Sequence, residues 1–140
     1  MKKTDCIFCK IIAGEIKTDG KIFENDCSLS FLSTGPNNFG HALVIPKDHY
    51  ENIYEIPDDC VGELMKTVKK TAIAVKKATK ADGINIGMNN EKAAGQFVFH
   101  AHIHVIPRHY NDGFKNWESA KKYKDGEMKE WAEKIRQELE

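Results

Sequence analysis

Three histidines alternate with apolar residues in His100-Ala101-His102-Ile103-His104-Val105, and this pattern constrains the chain more than any other. Successive side chains of an extended strand point to opposite faces. The alternation therefore puts the three imidazoles on one face and sends Ala101, Ile103 and Val105 into a core. Branched side chains and the stop at Pro107 favour a strand over a helix across Gln96 to Arg108. Neighbouring histidine Cα atoms would lie roughly 6.6 Å apart, from about 3.3 Å of rise per residue. Such a row is too ordered for a merely solvated face.

The 140 residues suit a single domain spanning 1–140, with a motif-bearing core over 5–108 and a helical tail over 109–140. Lysines and arginines balance aspartates and glutamates at 21 each, so no general attraction to nucleic acid or membrane is implied. Basic pairs such as Lys69-Lys70 and Lys76-Lys77 read as solvated helix faces. No apolar h-region follows Met1-Lys2-Lys3, and no apolar run approaches transmembrane length. A cytoplasmic protein is the default expectation. Its four cysteines are then free or metal-bound rather than bridged.

Short strands are expected at Lys21 to Glu24 and Ser28 to Leu32, turning at Asn25-Asp26, and at Gly40 to Pro46. Pro57-Asp58-Asp59 opens a helix whose apolar positions recur from Val61 to Ala78, with Gly83 ending it. Ile84 to Asn90 reads as a further strand. A last helix carries Met128, Trp131, Ile135 and Leu139 on one face. The fold class is α+β, a mainly antiparallel sheet with one long helix and a C-terminal helix.

Two chemistries suit the histidine row. Two of the histidines could chelate a catalytic metal that keeps an open water site. Alternatively one neutral imidazole is a nucleophile while its neighbours polarise an anionic centre. His100 and His104 would be about 13 Å apart along a strand, too far to share one ion. No carboxylate lies between 92 and 111 to complete a catalytic zinc site. Phosphate suits the second chemistry, because a neutral Nε2 can attack phosphorus and later leave, provided Nδ1 keeps the proton. Gln96, on the histidine parity, and Asn89 offer amide donors to phosphate oxygens or a leaving group.

Gly95-Gln96 followed by His100-Ala-His102-Ile-His104-Val-Ile resembles the signature of the histidine triad (HIT) family of nucleotide hydrolases and transferases. Gly40-His41-Ala-Leu-Val-Ile-Pro-Lys-Asp-His49 is similar to its second motif, and Cys6-Ile-Phe-Cys9-Lys-Ile-Ile to its N-terminal one. The resemblance implies a HIT-like fold, a homodimer and a nucleotide substrate attacked at the α-phosphorus. His102 would form a covalent nucleotidyl-histidine and release a nucleoside monophosphate, expected to be AMP. His104 would bind phosphate oxygens, with His41 and Gln96 supporting the same site. Phe8, Phe31, Leu32 and Ser33 match the base and ribose pocket, and Asn89 a phosphate or leaving-group contact. His104, where transferases of the family have glutamine, points to the hydrolase branch. Two positions depart from the family pattern: Ser33 replaces an acid that binds ribose, and Phe97 replaces a serine that donates to phosphate.

Cys6-x-x-Cys9 alone fits a zinc knuckle, a redox pair or chance, and the redox reading lacks a strand–helix context. Resemblance to a zinc-containing subgroup implies a structural Zn2+ held by Cys6, Cys9, His49 and His100. The substrate expected is a nucleoside phosphoramidate or dinucleoside polyphosphate. A compact leaving group is preferred, because the motif core is built around one phosphate. A nucleotide-binding module with decayed activity and a metallohydrolase using His100 and His102 are the competing expectations.

Overall fold

The computed structural model describes residues 3–139. Its elements are α1 (Ile7–Ile12), β1 (Lys21–Glu24), β2 (Ser28–Leu32), β3 (Ala42–Pro46), α2 (Asp58–Thr79), β4 (Gly83–Gly87), β5 (Ile103–Arg108) and α3 (Glu127–Gln137). The five strands form one antiparallel sheet in the order β1-β2-β3-β5-β4. The β1–β2 turn forms where expected, because Asn25 Oδ1 accepts from the backbone N–H of Cys27 and Ser28 at 3.0 and 2.8 Å.

Each face of the sheet is covered differently. Helix α2 lays Leu64, Val68 and Val75 against Ala42, Val44, Ile103 and Val105. Burying such side chains contributes about 1.5–3 kcal/mol each. On the other face Phe8 of α1 packs with Leu29, Phe31, Leu43 and Ile45. The register sets Phe31, Leu43, His104 and Gly87 opposite one another across β2, β3, β5 and β4. Directly opposed residues share a face, so His104 stands at the middle of this second face.

Several expectations need correction. Only His104 of the triad lies in a regular strand, because β5 starts at Ile103. The chain bends through 98–100 after the left-handed Gly95 (φ +90°). The long helix ends at Thr79 rather than near Gly83, because Lys80 takes the left-handed conformation (φ 54°) and its N–H bonds back to Lys76 O. Gly83 instead opens β4, which stops at Gly87 rather than Asn90. The apolar face of α3 buries none of its described residues: Trp131 and Ile135 are more than half exposed. Among the described residues no helix is long and apolar enough to cross a membrane.

Gly40 shows why the loop before β3 has its sequence. Its φ of +98° favours glycine, and an added Cβ would stand 2.5 Å from Thr79 Cγ2. Thr79 is held in place by its own bond to Val75 O at 2.7 Å. Gly40→Ala is therefore expected to destabilise the fold by about 2–4 kcal/mol. In urea the midpoint should fall with an unchanged m-value; a shift worth under about 0.5 kcal/mol contradicts this account.

Candidate active site and metal centre

Hydrogen bonds fix the tautomer of each triad ring. The N–H of Asn37 donates to His41 Nδ1 at 3.2 Å, which leaves the His41 proton on Nε2. That Nε2–H donates to His104 Nδ1 at 2.9 Å, so the His104 proton sits on its own Nε2. His102 has the opposite tautomer: Nδ1–H donates to the carbonyl of His100 at 2.7 Å, and Nε2 keeps a free lone pair. The rings of His102 and His104 are 5.0 Å apart between centroids. A lone pair and an N–H donor thus stand side by side, able to attack and to polarise one anionic centre.

Burial enforces the neutral forms. Desolvation lowers the pKa of His41 and His102, and lowers that of His104 to about 4. For His104 the nearby His102 and His41 add smaller effects in the same direction. Phe8 helps seal this environment, meeting the His102 ring edge-on at 5.4 Å and Phe31 at 5.6 Å.

His100 belongs to a different cluster. Its Nε2–H donates to the carbonyl of Pro46 at 2.9 Å, leaving Nδ1 as the free lone pair. Nδ1 lies 3.4 Å from Cys6 Sγ and 3.6 Å from Cys9 Sγ, while His49 Nδ1 lies 3.4 Å from Cys9 Sγ. The ligand atoms of Cys6, Cys9, His49 and His100 all fall within 4.8 Å of one another. Tetrahedral zinc with sulfur and nitrogen ligands separates them by about 3.4–3.8 Å, so these four residues fit such an ion. Both sulfurs also accept backbone N–H bonds at 3.4 Å, from Cys9 and from Lys3, as a thiolate pair would. An ion held by all four would have no open position, and His102 is not among the four.

The remaining candidates separate. Asn89 lines a cleft of about 330 Å³ beside His104. Phe31 is buried, Leu32 is half exposed at the end of β2, and the Ser33 hydroxyl accepts from the N–H of Gly35 at 3.3 Å. Phe97 stands in solvent at 89 % exposure. The expectation that Gln96 donates to phosphate is corrected. Its Nε2 donates to the carbonyls of Glu51 and Val98 at 2.5 and 3.1 Å, and Oε1 accepts from Glu91 N–H at 2.8 Å. An amide has two N–H donors, so Gln96 ties the loop together and has none left for a ligand.

Sequence reasoning missed the far wall of the cleft, formed by Arg108, Phe114, Lys115 and Trp117. No motif marks this stretch; the signal was an exposed lysine and tryptophan following a triad strand that ends in arginine.

Relatives and solved structures match most of the chain. An adenosine 5'-monophosphoramidase of Schizosaccharomyces pombe is 43 % identical over 103 residues, covering 74 % of this chain and 74 % of that protein. A crystal structure from Streptococcus mutans UA159 superposes with a TM-score of 0.93 at 42 % identity, over 99 % of this chain and 87 % of that one. A zinc-bound histidine triad family protein of Mycobacterium smegmatis superposes with a TM-score of 0.74 at 34 % identity, over 84 % of each chain. The model of the HIT domain matches residues 14–111, and with the ordered motifs within that span the chain belongs to the HIT family.

Proposed function

We propose that the protein is a hydrolase releasing a nucleoside monophosphate, AMP for an adenosine substrate, through a covalent intermediate on His102. The observation that carries this reading is the free Nε2 lone pair of His102, enforced by the 2.7 Å bond from Nδ1–H to His100 O. In the first step Nε2 forms a bond to the α-phosphorus, and the bond from phosphorus to the leaving group breaks. The leaving group departs with the electron pair and takes a proton from solvent, matched by the proton that the attacking water gives up to solvent in the second step. In the second step water attacks phosphorus, the P–N bond to His102 breaks, and the monophosphate is released.

His104 Nε2–H donates to a non-bridging oxygen in both steps, and His41 holds it in the donor tautomer. Asn89 adds an amide donor on the leaving-group side. Phe8, Phe31, Leu32 and Ser33 form the nucleoside side, where an uncharged Ser33 binds ribose less strongly than a carboxylate would. A monophosphoramidase among the relatives supports cleavage of a phosphorus–nitrogen bond. Cys6, Cys9, His49 and His100 would hold a structural zinc, whose chemistry is to clamp the N-terminal knuckle rather than to activate water. The free edge of β4, with Ile86 half exposed, supports association with a second copy. Incubation with adenosine phosphoramidate followed by peptide mass analysis tests the mechanism. An AMP-sized mass increase on the peptide containing His102 is expected; release of AMP with no trapped adduct under rapid quench argues for direct attack by water.

The buried rings set the pH dependence. A histidine whose folded pKa is lowered stays neutral below its unfolded value near 6.5, as His104 does down to about 4. The acid limb of kcat/KM should therefore lie well below pH 6.5. Between those values the unfolded chain binds more protons, so stability falls as the pH drops. A half-maximal rate near pH 6.5 in a titration from 4.5 to 8 contradicts the buried-ring account.

A further inference from the structure

We propose, on the basis of the zinc reading above, that Cys6 and Cys9 form a reversible oxidation site at which a peroxide joins the two sulfurs and releases the metal. The oxidised knuckle no longer clamps the chain, and the loss is felt at the triad. No part of the hydrolase reading is needed for the oxidation itself.

Local structure brings the two thiols within reach of each other. Cys6 caps the N-terminus of α1, its Sγ accepting from the N–H of Cys9 at 3.4 Å. Cys9 stands three residues on, in the first turn, and side chains three apart on a helix are neighbours. A zinc tetrahedron keeps two sulfurs about 3.8 Å apart and a disulfide about 2.05 Å, so the bond can close within the knuckle itself. The two residues differ in access: Cys6 is partly exposed and Cys9 is buried. An oxidant from solvent therefore meets Cys6 first. A redox Cys-x-x-Cys pair opens a helix that follows a strand. Here the helix is present and, among the described residues, the strand is not.

The donor set makes this pair decisive for the metal. Both anionic ligands would be these thiolates, whereas His49 and His100 ligate as neutral imidazoles. One S–S bond removes both charges at once, and two imidazoles alone hold zinc weakly. A site of four cysteines would keep two thiolates after the same event. In the first step the Cys6 thiolate attacks one oxygen of hydrogen peroxide, the O–O bond breaks, hydroxide leaves and a sulfenic acid forms. In the second the Cys9 thiolate attacks Cys6 Sγ, the S–S bond forms and a second hydroxide departs. Two electrons pass from sulfur to oxygen, and two solvent protons convert the hydroxides to water. Phe8, between the cysteines, carries the change to the triad, because its ring meets His100 and His102 edge-on at 5.7 and 5.4 Å.

The test uses the full chain carrying Cys27→Ser and Cys60→Ser, which keeps only Cys6 and Cys9 of the four cysteines in the sequence. Neither replaced residue belongs to the metal cluster or to the triad. Zinc-loaded protein is treated with hydrogen peroxide while free zinc is read with a chromogenic chelator and thiols are counted. Both thiols should disappear as about one zinc per chain appears, and the peptide spanning 6–9 should lose about 2 Da. A dithiol with added zinc should restore thiols and metal. Thiol loss with zinc retained, a disulfide between chains, or sulfinic acid at Cys6 without a bridge each overturns the switch. A chain that takes up no zinc overturns it too, and leaves His102 to be judged by its own adduct. Release of AMP from adenosine phosphoramidate should fall about ten-fold on oxidation and return with the dithiol. Unchanged turnover overturns the link through Phe8. If neither form hydrolyses the probe, the hydrolase reading fails while the zinc and thiol counts still decide the switch.

Discussion

His102→Ala is expected to abolish measurable release of AMP from adenosine phosphoramidate under the proposed mechanism, a loss of about 10⁴-fold or more, or about 5.4 kcal/mol of barrier. The effect is large because no neighbouring ring can substitute. His104 Nδ1 is occupied by His41 and its Nε2 carries a proton, so it has no lone pair to offer. His100 directs its only free lone pair toward the cysteines. Alanine leaves the partner of the lost bond, His100 O, unpaired, which costs about 1–3 kcal/mol of stability. A parallel melting curve separates this cost from chemistry. A folded variant retaining more than about one hundredth of wild-type turnover rules out His102 as the nucleophile.

Cys9→Ser should remove metal from the proposed zinc site and lower the melting temperature by roughly 10 °C or more, corresponding to about 3 kcal/mol. Cys9 is buried and central to the cluster, with His49 and His100 nitrogens at 3.4 and 3.6 Å. Without metal, burial raises its thiol pKa, and the site becomes a set of desolvated polar groups with poor partners. Among the described residues His49 Nε2 has no hydrogen-bond partner, so that ring depends on its other nitrogen for a role. The loss should also reach the proposed nucleophile, because the backbone carbonyl of His100 sets the His102 tautomer and Phe8 lies between the two cysteines in sequence. Metal content and melting curves with and without a chelator provide the measurement. Equal zinc content in variant and wild type, or a chelator that leaves the melt unmoved, removes the structural metal from the account.

Much of the fold was legible because its signals are local. The Asn25 turn, Pro57 at the helix entry and the alternation within 103–108 each act over a few residues. Legibility failed where a partner lay far along the chain. Gln96 has the right residue type and parity for a phosphate donor, yet Glu51, 45 positions away, takes its amide hydrogen. The end of α2 is not legible in the sequence because lysine, not glycine, takes the left-handed position there. The far wall of the cleft had no signature, since its order comes from the Arg108 guanidinium and the Asp112 carboxylate rather than from periodicity.

From the sequence alone, alternation and motif spacing determined that three imidazoles would be presented together and that two cysteines would stand near the N-terminus. Only the tertiary structure decided what each imidazole is for. A ring's chemistry depends on which nitrogen carries the proton, and that depends on a hydrogen-bond partner brought in from elsewhere. The Asn37 N–H, relayed through His41, makes His104 a donor, the carbonyl of His100 makes His102 a base, and the carbonyl of Pro46 turns His100 toward sulfur. Three like residues in one short stretch thus acquire three hydrogen-bonding states, because the sheet and the N-terminal knuckle surround each with a different set of donors and acceptors.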